Sequence, residues 1–214
     1  MFIVFEGIDG CGKSSVISAL NERLGALSHE VIVTSELSRK DKWSQEARAK
    51  LMNAQSAQEE LNIIIPNRLV HEARVLCPAL QKDSLVLMDR YLMSTIAYQG
   101  GEHISQSQII ASHDAYNLPV PDLVIYLDIS LDTSLKRRQH RTEQNSIDTR
   151  DERFFRGCLI NYWSSMECLR KQGWRIECLN AELPLASVID AAELQIRNLI
   201  KEASPLAIDS VGGV

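Results

Sequence analysis

No run of 18 apolar residues occurs in this 214-residue chain, so hydropathy offers no membrane-spanning helix. Cysteine is sparse and odd in number: five residues, with no Cys-x-x-Cys pair and no histidine cluster nearby. Neither a disulfide framework nor a zinc site is expected, and a reducing cytoplasm is the expected compartment. An excess of positive charge is missing too. The 23 Lys and Arg are outnumbered by 28 Asp and Glu, for a net charge of −5. No basic field is therefore available to recruit a polynucleotide or an anionic bilayer, whereas a single nucleotide suits the balance. The opening residues, MFIVFEG, lack the basic segment and long apolar core of a signal peptide and read instead as a strand. What remains is ordinary for a globular domain: 45% hydrophobic and 24% charged residues, with length enough for one sizeable core.

Short apolar runs alternate with helical periodicity along the chain. Strands are expected over 2–6, 30–34, 84–88, 122–128 and 174–179. Helices are expected over 13–27, 43–52, 59–80, 91–99, 105–116, 131–138, 154–171 and 185–203. Pro66 falls inside the third of these helices, which predicts a kink or a late start. The alternation implies an α/β fold in three layers: a five-stranded parallel sheet flanked by helices. Residues 1–204 read as one domain interrupted by a polar stretch at 139–153, with 205–214 as a disordered tail. In such folds ligands bind outside the carboxyl ends of the strands. The chemical motifs of this chain fall at those ends.

Residues 7–14, GIDGCGKS, fit the pattern GxxxxGK[ST], following a strand and opening a helix. Glycines allow a tight turn whose successive N–H groups point inward at phosphate oxygens. The helix adds the positive end of its dipole. Gly7, Ile8, Asp9, Gly10, Cys11, Gly12, Lys13, Ser14 and Ser15 are thus the expected ATP-binding residues. Lys13 is the cation for the β- and γ-phosphates, and the Ser14 hydroxyl is a ligand for Mg²⁺. Asp89 closes the third strand, where P-loop enzymes hold Mg²⁺ with an acid, and Arg90 follows it. Arg90 would reach the phosphate between donor and acceptor. Cys11 reads as a small filler of the loop.

Three segments together resemble the thymidylate kinases: FEGIDGCGKSS, DRYLMSTIAYQG and PDLVIYLDISLDTSLKRR, spanning 2–138. The middle one is the specific element, since adenylate and guanylate kinases share the phosphate loop without it. The resemblance implies a three-layer P-loop NTPase fold, with 1–204 a single P-loop kinase domain and 139–153 its short mobile lid. It implies phosphorylation of dTMP to dTDP by ATP and Mg²⁺, small-molecule substrates only, and a homodimer. It also implies roles residue by residue. Asp9 matches the acid of the phosphate loop, near the acceptor sugar and the transfer site. Glu36 matches the glutamate of the family's REP segment, and Arg68 the arginine that bonds the base carbonyl. Arg90 would contact the acceptor phosphate, Thr95 would face the pyrimidine edge, and Tyr98 would pack under the deoxyribose with Gln99 beside it. Three positions depart from the family pattern. The REPGGT segment reads SELSRK over 35–40, Ile64 replaces an aromatic residue one turn before Arg68, and the lid is shorter by a few residues. Gly10 stands where some members carry an arginine, so the lid arginines are the expected source of charge. Arg137, Arg138, Arg141, Arg150 and Arg153 are the pool, with Arg141 and Arg150 the expected catalytic pair. Two other readings compete: a kinase for another or modified deoxypyrimidine monophosphate, such as 5-hydroxymethyl-dUMP, and a P-loop NTPase acting as a switch or binding module.

Overall fold

A computed structural model describes residues 1–25, 30–139 and 150–203. Strand β1 (Phe2–Glu6) is buried at every position. It pairs in parallel with β3 (Leu85–Asp89) on one side and β4 (Leu123–Asp128) on the other. Strands β2 (Val31–Ser35) and β5 (Ile176–Asn180) form the edges, giving the order β2-β3-β1-β4-β5. The sheet grows to one side of β1 first and then to the other, which opens a crevice outside the carboxyl end of β1. Central strands without polar side chains facing outward are what a sheet covered on both faces requires.

Helix α1 (Lys13–Gly25) follows β1 and buries Val16, Ile17, Leu20 and Leu24, the stripe expected from the spacing. Residues 26–29 lie outside the described residues, among them the last two of the expected helix. Helix α2 (Lys42–Leu51) packs on α3 (Ala57–His71), and α9 (Leu185–Ala203) packs on α1. Helix α5 (Leu92–Gln99) is buried from Leu92 to Tyr98 and packs along α8 (Glu152–Lys171). Helix α6 (Gln106–Asp114) begins with a capping box between Ser105 and Gln108, and α7 (Leu131–Gln139) follows β4.

The stretch 59–80 is not one helix, and it starts earlier than the sequence reading placed it. Ser56 accepts a hydrogen bond from the Glu59 N–H, a cap that sets the start at Ala57. The chain then runs through Pro66. Pro66 and Asn62, whose carbonyl the proline leaves without a helical donor, both face solvent, so water can satisfy it. The interruption comes later, as a π-helical turn over Glu72–Leu76 before the short α4 (Cys77–Gln81). One extra residue there re-phases the helix, so that His71 and Leu76, five apart, are both buried. The expected lid core over 140–149 and the expected tail over 205–214 fall outside the described residues.

Candidate active site

The site is built from the carboxyl ends of β1, β2 and β3. After Glu6 the backbone turns sharply through Gly7, Gly10 and Gly12, all at positive φ. Gly10 tolerates nothing larger: a Cβ there would lie 2.9 Å from the Ser134 carbonyl oxygen and 3.3 Å from the Arg138 Cγ. The loop is pinned from α7, where the Ser134 hydroxyl donates to the Asp9 carbonyl (2.7 Å). Lys13 is buried and its Nζ donates back to the carbonyls of Gly7 (2.9 Å) and Ile8 (3.4 Å). Its ammonium is thereby held inside the loop curve.

A cleft of about 160 Å³ opens here, lined by Asp9, Gly10, Gly12, Lys13, Ser14, Ser15, Asp89 and Arg90. Six of the nine expected phosphate-loop residues and the expected DR pair thus meet in one place, whereas Gly7 does not line the cleft and Ile8 and Cys11 are buried in the core. Ser14 and Asp89 both line it, and Asp89 Oδ1 is buried with no hydrogen-bond partner among the described residues. A hard oxygen pair, one of them an unsatisfied carboxylate oxygen, fits Mg²⁺, which takes one or two protein ligands and fills its shell with phosphate oxygens and water.

Arg90 sits at φ +72°, a left-handed backbone that a bulky side chain rarely adopts. Strain of this kind persists only where the surroundings hold it, and here they do. The Arg90 N–H donates to the Phe5 carbonyl (2.9 Å), and the next N–H, of Tyr91, donates to Glu6 Oε1 (2.8 Å). The guanidinium then lies between two groups of partners. Nη2 pairs with Asp9 Oδ1 (2.7 Å) and approaches the Tyr98 hydroxyl (3.4 Å). Nη1 donates to Ser94 Oγ (2.9 Å), the Gly7 carbonyl (3.3 Å) and the Tyr162 hydroxyl (3.3 Å). Burial works against its charge, but the oxygens of Tyr98, Asp9, Tyr162 and Asp89 outweigh that and hold its pKa well above the usual arginine value. The Tyr98 ring lies under this guanidinium at 5.0 Å, and its hydroxyl donates to Asp9 Oδ2 (3.3 Å).

A second cluster lies at the end of β2. Arg68 is fully buried and pairs with Glu36 through both Nε and Nη2. Nη2 also donates to Thr95 Oγ1 (2.6 Å), and the guanidinium covers the Tyr91 ring at 4.9 Å. Only Nη1 has no partner among the described residues. Ile64, one turn earlier on α3, is buried as well. Gln99 is bonded to Glu60 (3.0 Å), and Glu60 also pairs with Arg150 (3.3 Å), whose guanidinium lies over Phe154 at 5.0 Å. Arg141, the other expected lid arginine, is outside the described residues.

Three residues in this assembly were absent from the sequence-based site. Glu6, Ser94 and Tyr162 surround Arg90, and only the first two lie within the motif segments, where they were given no role. Tyr162 sits in the middle of α8, with no local signal to single it out. Arg138 stood in the expected basic pool without being singled out, and the structure sets it against Gly10, with its guanidinium 3.7 Å from the Phe155 ring centre.

A family model described as Thymidylate kinase matches residues 5–190. A protein named Thymidylate kinase from Akkermansia muciniphila is 36% identical over 148 residues, covering 69% of this chain and 71% of that protein. One of the same name from Mycoplasma capricolum subsp. capricolum is 30% identical over 209 residues, 94% of this chain and 97% of its own length. A third, from Leptospira interrogans, is 33% identical over 146 residues, covering 67% and 71%.

Proposed function

The chain belongs to the thymidylate kinase family, and from that premise we propose how its site carries the terminal phosphoryl group of ATP to the phosphate of dTMP. The enzyme is a phosphotransferase acting on small molecules. The shared name of its relatives favours dTMP over a modified deoxypyrimidine monophosphate and over a switch role.

ATP binds along the phosphate loop, where inward N–H groups and the start of α1 meet the β- and γ-phosphates. Lys13 exchanges its bonds to the Gly7 and Ile8 carbonyls for phosphate oxygens. Ser14 and Asp89 are the residues that would hold Mg²⁺. Bound there, the ion neutralises charge on the donor phosphates. Arg90 takes the acceptor phosphate, and for this its Nη2 leaves Asp9. No general base is required, because the acceptor oxygen is already anionic. Catalysis then rests on positioning and on charge placed in advance of the reaction.

One observation carries the acceptor assignment. Among the described residues, every Arg68 nitrogen has a partner except Nη1, and that group is buried. An unsatisfied buried donor is costly in the absence of a ligand, and a base carbonyl removes the cost. Thr95 accepts from the same guanidinium and Ile64 lies one turn before it on α3, so both are placed to meet the base, and Tyr98 supplies an aromatic body for the sugar. Homodimer formation through helices and residence in the cytoplasm accompany this reading. The test is an ATP-coupled assay against the common deoxynucleoside monophosphates, 5-hydroxymethyl-dUMP and no acceptor. The expected result is kcat/KM highest for dTMP and slow ATP loss without acceptor. A chain that hydrolyses ATP equally well without dTMP would overturn the proposal.

A further inference from the structure

Glu6 is fully buried at the end of β1, yet it carries a carboxyl group and lies outside the expected site. Its contacts define its form. Oε1 accepts the N–H groups of Tyr91 (2.8 Å) and Ser94 (3.1 Å) at the start of α5. Oε2 accepts the Ser94 hydroxyl (2.6 Å) and the Tyr162 hydroxyl (3.2 Å). Burial raises its pKa from the usual range, while Ser94, the Arg90 charge and the two N–H groups draw it back down. Oxygens that collect this many donors leave no place for a proton of their own.

The Ser94 hydroxyl owns one hydrogen, and it points at Glu6. Its lone pairs are therefore left to face Arg90 Nη1 at 2.9 Å. The Tyr162 hydroxyl, 2.9 Å from Ser94 Oγ and 3.3 Å from Nη1, completes the same cradle. Arg90 is thus held differently on its two sides. The Nη1 side rests on buried groups oriented by Glu6. The Nη2 side rests on Asp9, which lines the cleft as Ser94 and Tyr162 do not. We propose that Glu6 is a positioning residue: through Ser94 and Tyr162 it fixes one edge of the Arg90 guanidinium, so that the other edge can exchange Asp9 for the acceptor phosphate without loss of aim. The inference rests on the acceptor-phosphate role given to Arg90 above.

Glu6→Gln is nearly isosteric and keeps an acceptor for the two N–H groups. It replaces Oε2 by an amide donor, which reverses the hydrogen direction at Ser94 and removes the charge. Ser94→Ala removes the link itself while leaving Glu6 in place, and it serves if Glu6→Gln folds poorly. The measurements are dTMP binding by calorimetry, KM for ATP, kcat, and melting temperature for wild type, both single variants and the double variant. Each single variant is expected to weaken dTMP binding by about tenfold, the scale of one charge-assisted hydrogen bond. KM for ATP should move less than the dTMP constant. The double variant should lose less than the product of the two single losses, since both changes break the shared Ser94 link and only the Tyr162 contact remains to be lost. A Glu6→Gln protein that melts lower but binds dTMP as wild type does would make Glu6 a fold-stabilising cap only and overturn the inference. Additive losses in the double variant would overturn it as well. The acceptor reading is judged separately, by wild-type turnover of dTMP. If wild type binds dTMP without phosphorylating it, the binding constants still decide the role of Glu6; if wild type does not bind dTMP, both readings fall.

Discussion

At the scale of single residues, the site is a set of charges held ready by buried neighbours. Lys13 is the plainest case, folded into its own loop through two carbonyls. Lys13→Ala is expected to lower kcat by at least about 100-fold, because electrostatic stabilisation is the main source of rate here. The melting temperature should change by only a few degrees, about the scale of one modest interaction. Near-normal turnover in this variant would remove Lys13 from the mechanism. Tyr98 has two separable parts. Its ring lies under Arg90, and its hydroxyl bonds Asp9. Tyr98→Phe keeps the ring, so it should retain preference for dTMP over the ribose counterpart while losing roughly threefold to tenfold in kcat/KM. Tyr98→Ala should narrow that preference, because space opens for a 2′-hydroxyl. Equal sugar discrimination in Tyr98→Ala and wild type would take the gate away from this ring.

At the scale of elements, the question is how α7 and the start of α8 bring positive charge to the transfer site. Arg138 belongs to the last turn of α7, and that helix touches the phosphate loop through Ser134. Arg138→Ala is therefore expected to lower kcat by at least about tenfold, within the range of a delivered arginine. KM for dTMP should stay close to wild type. Arg150 precedes α8 and is half-exposed, paired with Glu60 of α3. In the proposed mechanism its charge would reach the phosphates only after that pair opens. Arg150→Ala should then cost about tenfold in kcat, whereas Glu60→Gln, which releases Arg150, should cost little. If Glu60→Gln lowers kcat as far as Arg150→Ala, the pair belongs to the active arrangement and not to the resting one. Single-turnover kinetics on the three variants distinguish these outcomes.

At the scale of the whole molecule, stability carries a pH signature from α6. His113 is buried between the Tyr91 and Trp174 rings, near Arg68, with Asp114 beside it. Burial foremost, then the Arg68 charge, depress its pKa from 6.5 to about 4. The unfolded chain thus binds the proton more readily between about pH 6.5 and 4, so this residue's contribution is full above that window and is lost as pH falls through it. The loss between pH 7 and 5 is expected to be about 2 kcal/mol. Urea unfolding of wild type and His113→Leu at both pH values measures it. The variant should lose less stability on acidification, and an equal loss in both proteins would mean that His113 is not the source.

The sheet and the phosphate loop were legible in the sequence because both rest on short-range rules. An apolar run of five or six residues ending in glycine suits a buried parallel strand, and a glycine-spaced loop opening a helix can do little else than surround an anion. The first strand fell on 2–6 as expected, the ends of the others moved by up to two residues, and the last helix fell on 185–203 as expected. The break at Glu72–Leu76 was not legible, because the extra residue is decided by which side chains of α3 and α4 must reach the core together. The same holds for the company of Arg90. Glu6, Ser94 and Tyr162 come from β1, α5 and α8, up to 156 residues apart, and no local pattern marks Tyr162 for that place. Nor could the sequence choose Arg138 over its neighbours in a basic run, since only the packing of α7 on Gly10 sets it against the loop. The residue types that chemistry demands were written locally; the buried partners that aim them exist only once β1, α5, α7 and α8 have packed around one cleft.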